Sequence, residues 1–249
     1  MISRIIVGTL SICLFLAALV AMTPLPFILK LGKVDATGLT WSNAYGTLFD
    51  GGLDDVSFGP QRVGDVTLKM RPGALLGGRL QYSFDVSDGV GDVAGNLFVG
   101  WNKIGINETR ADVDLDQLVG LKKEIRDLGG VVRVDIGEII FANKACRSAE
   151  GQVDTDALSR VANQYGRTLS ELTGSFACDG DMLSLPMQAT STQGDIVDAR
   201  LRVGLSERST AEAIVSTSDP QAALVLLSLG FSEAEGKYHF RRDRMIIVG

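Results

Sequence analysis

Asp112-Val-Asp114-Leu-Asp116 is the densest group of ionisable side chains whose spacing could do chemistry. On a strand, the two-residue period puts three carboxylates on one face, and hard cations such as Ca²⁺ take oxygen ligands. The pattern goes no further, because the EF-hand loop needs a Gly at its sixth position and a Glu at its twelfth, and both are missing. A solvated strand face, or caps for a following helix, is the plainer reading, and no metal is expected. His239 is the single histidine, which rules out His-rich metal sites and argues against His-dependent triads. No G-x-S-x-G or H-E-x-x-H occurs. Gly89-Val-Gly-Asp-Val-Ala-Gly95 places its third glycine one residue late for a dinucleotide loop, no GK[ST] exists, and the segment reads as a hairpin turn. Lys237, Arg241, Arg242 and Arg244 could meet an acidic partner or lipid headgroups. Glu233, Glu235 and Asp243 dilute them, so a solvated strand face is favoured. Asn107-Glu-Thr109 matches a glycosylation sequon, a pattern short enough to arise by chance. With no catalytic residue and no cofactor site, the expectation is a protein that is not an enzyme.

The cysteines carry a structural chemistry. Cys13 lies in an apolar run and reads as a small hydrophobe, whereas Cys146 and Cys178 are an even pair in the remainder. In an oxidising compartment they would form a disulfide closing about 33 residues, a constraint of about 3.7 kcal/mol in the chain-entropy model. Two buried free thiols are the alternative, and zinc is disfavoured because neither a CxxC nor a His pair is present.

The compartment follows from the N-terminus. No charge interrupts Ile5 to Leu29, between Arg4 and Lys30. Ile5–Thr23, ahead of Pro24 and Pro26, would make about 28 Å of helix at ~1.5 Å per residue, enough to cross a bilayer core. A cleaved signal peptide competes with a retained anchor; Leu19 fits the −3 position of a cleavage site poorly, which favours the anchor. All 30 acidic residues follow Lys30. A short basic tail inside and an acidic domain outside is the commoner arrangement, so residues 1–4 are expected in the cytoplasm, 5–29 in the membrane and 30–249 in the periplasm.

The elements between must supply a fold for 249 residues that are 45 % hydrophobic, carry 29 glycines and have a net charge of −6. The negative balance argues against nucleic acid. Asp65–Met70 alternates Val66, Leu68 and Met70 with Asp65, Thr67 and Lys69; Arg79–Val86 repeats the pattern with Leu80, Tyr82, Phe84 and Val86 facing in. Val132, Val134 and Ile136, and then Leu201, Val203 and Leu205, do the same. Gly51-Gly52, Gly59-Pro60, Gly77-Gly78 and Gly129-Gly130 read as the turns. Helices are expected at Gln221–Leu229 (Asp219 N-cap, Pro220 N1, Gly230 C′), from Thr155 or Asp156 to Tyr165, and over Leu115–Leu128. Trp41 and Trp101 read as large plugs in the β core. The fold class is therefore mainly β: an elongated or curled antiparallel sheet with a few short helices behind one N-terminal transmembrane helix. An echo between Gly46-Thr-Leu-Phe-Asp-Gly51 and Leu172-Thr-Gly-Ser-Phe-Ala-Cys178 suggests two stacked β units, about 30–142 and 143–249, in one continuous body.

The order of these features resembles the type II secretion system protein N family over nearly the whole chain. The resemblance is carried by a single anchor, Trp41, the Gly46–Gly51 run, Arg71-Pro-Gly-Ala-Leu-Leu-Gly-Gly78, Cys146 to Cys178, and Leu226-Leu-Ser-Leu-Gly-Phe231 before a closing hairpin. The Gly-Thr-Leu-Phe-Asp-Gly run departs from the family's pattern in carrying Phe49 where Trp is more usual. The resemblance implies a non-enzymatic inner-membrane accessory subunit, a scaffold or assembly factor whose partners are other inner-membrane secretion subunits. It brings no catalytic residue with it. The short-strand pattern also resembles AsmA-like envelope proteins, which implies, as the alternative, a groove for lipid lined by faces such as Leu80–Val86.

Overall fold

The computed structural model describes residues 22–31, 38–119, 126, 129–164, 166–205 and 208–245. Their strands form one open antiparallel sheet of sixteen. It begins with β1 (Leu39–Thr40) and β2 (Asn43–Gly46), which both pair with β3 (Asp50–Phe58). A meander follows through β4 (Gln61–Met70), β5 (Arg79–Ser87), β6 (Gly91–Gly100), β7 (Lys103–Asp114), β8 (Val131–Ala142) and β9 (Ala145–Thr155). Next to β9 lie two short strands, β10 (Leu172–Ser175) and β11 (Ala177–Asp179), both paired with β12 (Met182–Thr190). The sheet continues through β13 (Ile196–Val203) and β14 (Arg208–Ser216) to β16 (Lys237–Met245), with β15 (Ser232–Ala234) outermost.

Register explains the alternation read from the sequence. Val66 faces Val86, Leu68 faces Phe84 and Met70 faces Tyr82, while Thr67 faces Asp85 and Lys69 faces Ser83. The apolar set passes to Leu97, Ile106 and Ile139 on β6–β8, and to Met187, Ala199 and Ala213 on β12–β14. One face of the sheet is thus apolar and the other polar from β4 to β14, as a period of two requires.

The apolar face is covered at its two ends. Helix α1 (Leu25–Leu31) buries Leu25 against Leu53 and Val56, with Leu29, Trp41 and Val66 around them. At the other end α2 (Ala157–Gln164) and α3 (Pro220–Ser228) bring Leu158, Ala223 and Leu226 onto Leu172, Ala189, Val197, Val215 and Tyr238. Between the two covers Leu80, Val99 and Ile104 lie side by side and are each 42 % exposed.

The helix ends follow their sequence signals. Asp219 accepts the amide of Gln221 at 2.8 Å, Pro220 opens α3, and Gly230 at φ +96° closes it. Gly166, at φ +70°, closes the region after α2, and Tyr165 lies outside the described residues. Of the helix expected over Leu115–Leu128, residues Leu115–Gln117 form a 3-10 turn, and most of the remainder lies outside the described residues. Two further expectations are corrected. Gly51-Gly52 is not a turn but sits inside β3, where Tyr45 lies so close that a Cβ on Gly52 would come within 2.5 Å of its hydroxyl. Of Gly89–Gly95 only Gly89 and Val90 lie in the bend between β5 and β6, and Gly91–Gly95 belong to β6.

Among the described residues no helix is long and apolar enough to cross a membrane. The Ile5–Thr23 segment lies outside them except for Met22 and Thr23. Pro24 forms a bridge with Thr47, so the chain enters the sheet at the β2–β3 turn.

Candidate functional site

Cys146 is the second residue of β9 and Cys178 lies in β11, with Cα atoms 5.5 Å apart and the sulfurs bonded. Cys146 is buried, and its amide donates to the carbonyl of Asp181 at 2.9 Å. The bond thus pins the short β11 segment, which the break at Phe176 would otherwise leave with few ladder bonds. A disulfide of this kind persists in an oxidising compartment outside the cytoplasm.

The carboxylates of the Asp112 run do not converge. Asp112 and Asp114 sit on β7, but Asp116 has left the strand for the 3-10 turn. Arg133 lies opposite Asp112, at 4.0 Å, and also donates to Asp154 at 2.9 Å. Asp114 instead accepts from Gln117. Among the described residues no group of three or more His, Cys, Asp or Glu could hold a metal. The polar face is a ladder of crossed charges: Arg110 faces Asp135 at 3.4 Å, and Glu212 faces Arg241 at 3.1 Å. A trough of about 720 Å³ on this face brings together Lys69, Asp85, Glu108, Arg110 and Asp135, so neither sign dominates it.

An apolar cavity of about 280 Å³ lies between α2, α3 and the sheet, lined by Leu158, Val161, Val197, Ala213 and Leu226. Arg167 stands at its edge because the turn after α2 sends its amide back to the carbonyl of Ala162 at 2.9 Å. Its guanidinium donates to Asp195 from Nε at 3.0 Å and Nη2 at 2.6 Å, and from Nη1 to Asp219. Burial pushes the Asp195 carboxyl up, but hydrogen bonds from Thr217, Ser191 and Arg167 together hold it below the usual range. Asp219 is lowered first by the Gln221 amide and then by Arg167. The Arg167 guanidinium is therefore occupied by two carboxylates of its own chain, and the network ties α2, α3 and the β12–β13 turn together. Sequence reasoning missed it, since Arg167 lies 28 and 52 residues from its partners.

A further unfilled feature is a strand edge. β15 pairs only with Lys237–His239 of β16. Among the described residues no strand pairs with the outer side of β16 beyond His239. Glu235 and Gly236, at φ +54° and +74°, make the two-residue turn of a type I′ hairpin. In such a hairpin the flanking residues exchange main-chain bonds, so Lys237, His239, Arg241 and Asp243 turn their N–H and C=O groups outward. The basic cluster read from the sequence lies on this strand; Arg241 pairs with Glu212 and Asp243, while the side chain of Arg244 lies outside what is described. At the opposite edge β1 and β2 lie along β3, and α1 packs against β2.

A family model described as type II secretion system (T2SS), protein N, matches residues 37–241, from just before β1 into β16. The chain belongs to the type II secretion system protein N family. Membership makes it a component of type II secretion, in a family of apparatus parts that is generally non-enzymatic, and implies association with other secretion subunits. No curated protein and no solved structure matches the chain. The match spans Trp41, the Gly46–Gly51 run, both disulfide cysteines, the Arg167 network and β16 as far as Arg241. In this family member Trp101 is not a core plug: it stands at the tip of the β6–β7 turn, 91 % exposed.

Proposed function

We propose that the protein is a non-enzymatic inner-membrane accessory subunit of the type II secretion system that holds other inner-membrane subunits beside its sheet. Ile5–Thr23 anchors it, and the β domain that follows lies in the periplasm, where Cys146 and Cys178 remain oxidised. The observation that carries the reading is the outer side of β16 beyond His239, a row of main-chain donors and acceptors to which an extended segment of a partner can add as a further strand. The trough on the polar face is lined by charges of both signs, and Arg167 at the rim of the apolar cavity is occupied by Asp195 and Asp219, which supports a scaffold over an enzyme. A photoreactive residue at Asp243 in cells that secrete through this system tests the reading. It should link to another inner-membrane secretion subunit, whereas the same residue at Asp54, on β3 between β2 and β4, should not. Equal links from both positions would refute pairing at β16.

The half-covered apolar face at Leu80, Val99 and Ile104 favours a second reading, a groove that takes acyl chains. Lipid mass spectrometry of the purified full chain separates the two: stoichiometric lipid without secretion subunits would support the groove.

A further inference from the structure

The sheet has two ends, and they differ in chemistry. The β2–β3 turn, the loop between β4 and β5, and the β6–β7 and β8–β9 turns all lie at one end. Asp50 pairs with Lys69, Arg79 with Gly100, Gly100 with Lys103, Lys103 with Ala142, and Ala142 with Ala145. Leu76 in the β4–β5 loop is 96 % exposed and Trp101 is 91 % exposed; these are the two most exposed large hydrophobic side chains among the described residues. Neither the 3-10 helix Pro72–Gly77 nor the Trp101 turn buries an apolar side chain that would account for them.

Around these two residues the charges are basic: Arg71, Arg79, Lys103, Lys144 and Arg147, with Asp50 at one margin and Asp179 and Asp181 at the other. The far end of the same strands carries Asp65, Asp88, Asp92, Asp114, Asp154 and Asp156, with Arg62 and Arg133 between them, so acidic side chains are in excess there. In a chain of net charge −6, five basic side chains therefore lie around the exposed Trp and Leu. The uncharged run Ile5–Thr23 joins this same end, because Pro24 bridges Thr47 in the β2–β3 turn, and Met22 beside it is 77 % exposed.

We propose that this end of the sheet rests on an anionic lipid bilayer surface, with Leu76 and Trp101 in the interfacial layer and Arg79 and Lys103 at the headgroups. Trp is the side chain best suited to that depth, since its ring is apolar and its N–H polar, and basic side chains reach from apolar surroundings to phosphate. A membrane surface of negative potential attracts the basic end and repels the acidic one, which sets the strands upright on the bilayer. The inference rests on the anchor reading, because residues 22–24 hold the basic end within reach of the membrane. It goes beyond that reading by assigning a lipid-contacting surface to the β domain itself.

The test uses the full chain with Trp41→Phe, which leaves Trp101 as the sole tryptophan, reconstituted in vesicles of phosphatidylglycerol and phosphatidylcholine with or without bromine on the acyl chains. Trp101 emission should fall about twofold or more in the brominated vesicles, as expected of a residue at the interface. Arg79→Glu with Lys103→Glu should remove most of that quenching at unchanged incorporation. Unquenched Trp101 in protein that floats with the vesicles overturns the proposal, and so does quenching that the charge reversal leaves intact. Shielding of Trp101 that requires added secretion subunits would make the occupant a protein and overturn it as well. Failure to float at all would remove the anchor reading, and this inference with it.

Discussion

Breaking the Cys146–Cys178 bond should cost the β domain a measurable share of its stability. The two residues are 32 apart, and the loop they close holds most of β9, α2 and β10. Loop closure of this length removes about 12.5 cal/mol/K from the unfolded chain, or about 3.7 kcal/mol near room temperature. For a domain of this size each kcal/mol shifts the melting temperature by about 2–4 °C, so the expected fall is about 7–15 °C. The assay is thermal unfolding of the full chain in detergent, followed by circular dichroism, comparing wild type with Cys146→Ala/Cys178→Ala. Thiol titration accompanies it: denatured wild type should show one reactive thiol, Cys13, and three after reduction. Three thiols before reduction, with melting unchanged in the double variant, would refute both the staple and the oxidising compartment argued from it.

Arg167→Leu leaves Asp195 and Asp219 facing each other without their cation, so it should lower the melting temperature more than Arg62→Leu does. The Arg62–Asp55 pair is the control because both side chains are more than half exposed; equal losses would argue against a buried network. Asp156, Asp195 and Asp219 are all held below the usual carboxylate range. Such groups stabilise the fold fully above the ordinary Asp value of about 3.9, and the contribution is lost as pH falls through their lower folded values. Melting temperature should therefore drop steeply at the acid end of a titration, and less steeply in Asp195→Asn; identical profiles would contradict the assignment.

The strands were largely legible because their signal is local. The alternation at Asp65–Met70 and Arg79–Val86 needs only a sheet with one wet face, and register supplies it. The Asp219-Pro220 and Gly230 boundaries of α3 were legible for the same reason. Gly51-Gly52 was misread because a glycine pair signals a turn equally well as a close approach, and the approaching ring of Tyr45 is set by tertiary pairing. Trp101 was misplaced because a large apolar side chain is expected inside unless something outside receives it. The open edge of β16 depends on strand order, which no window of sequence contains. The cluster of arginines there was visible, but its position at a margin was not.

Co-purification from native membranes tests the scaffold account most directly. Arg241→Pro removes an outward N–H from the open edge while its neighbours keep the ladder with β14, and proline is tolerated at sheet edges. Wild type should bring down other inner-membrane secretion subunits, and Arg241→Pro, melting close to wild type, should lose them. Full recovery of those subunits with the folded variant, or their absence from wild type, would contradict strand addition at β16 as the way this protein serves type II secretion.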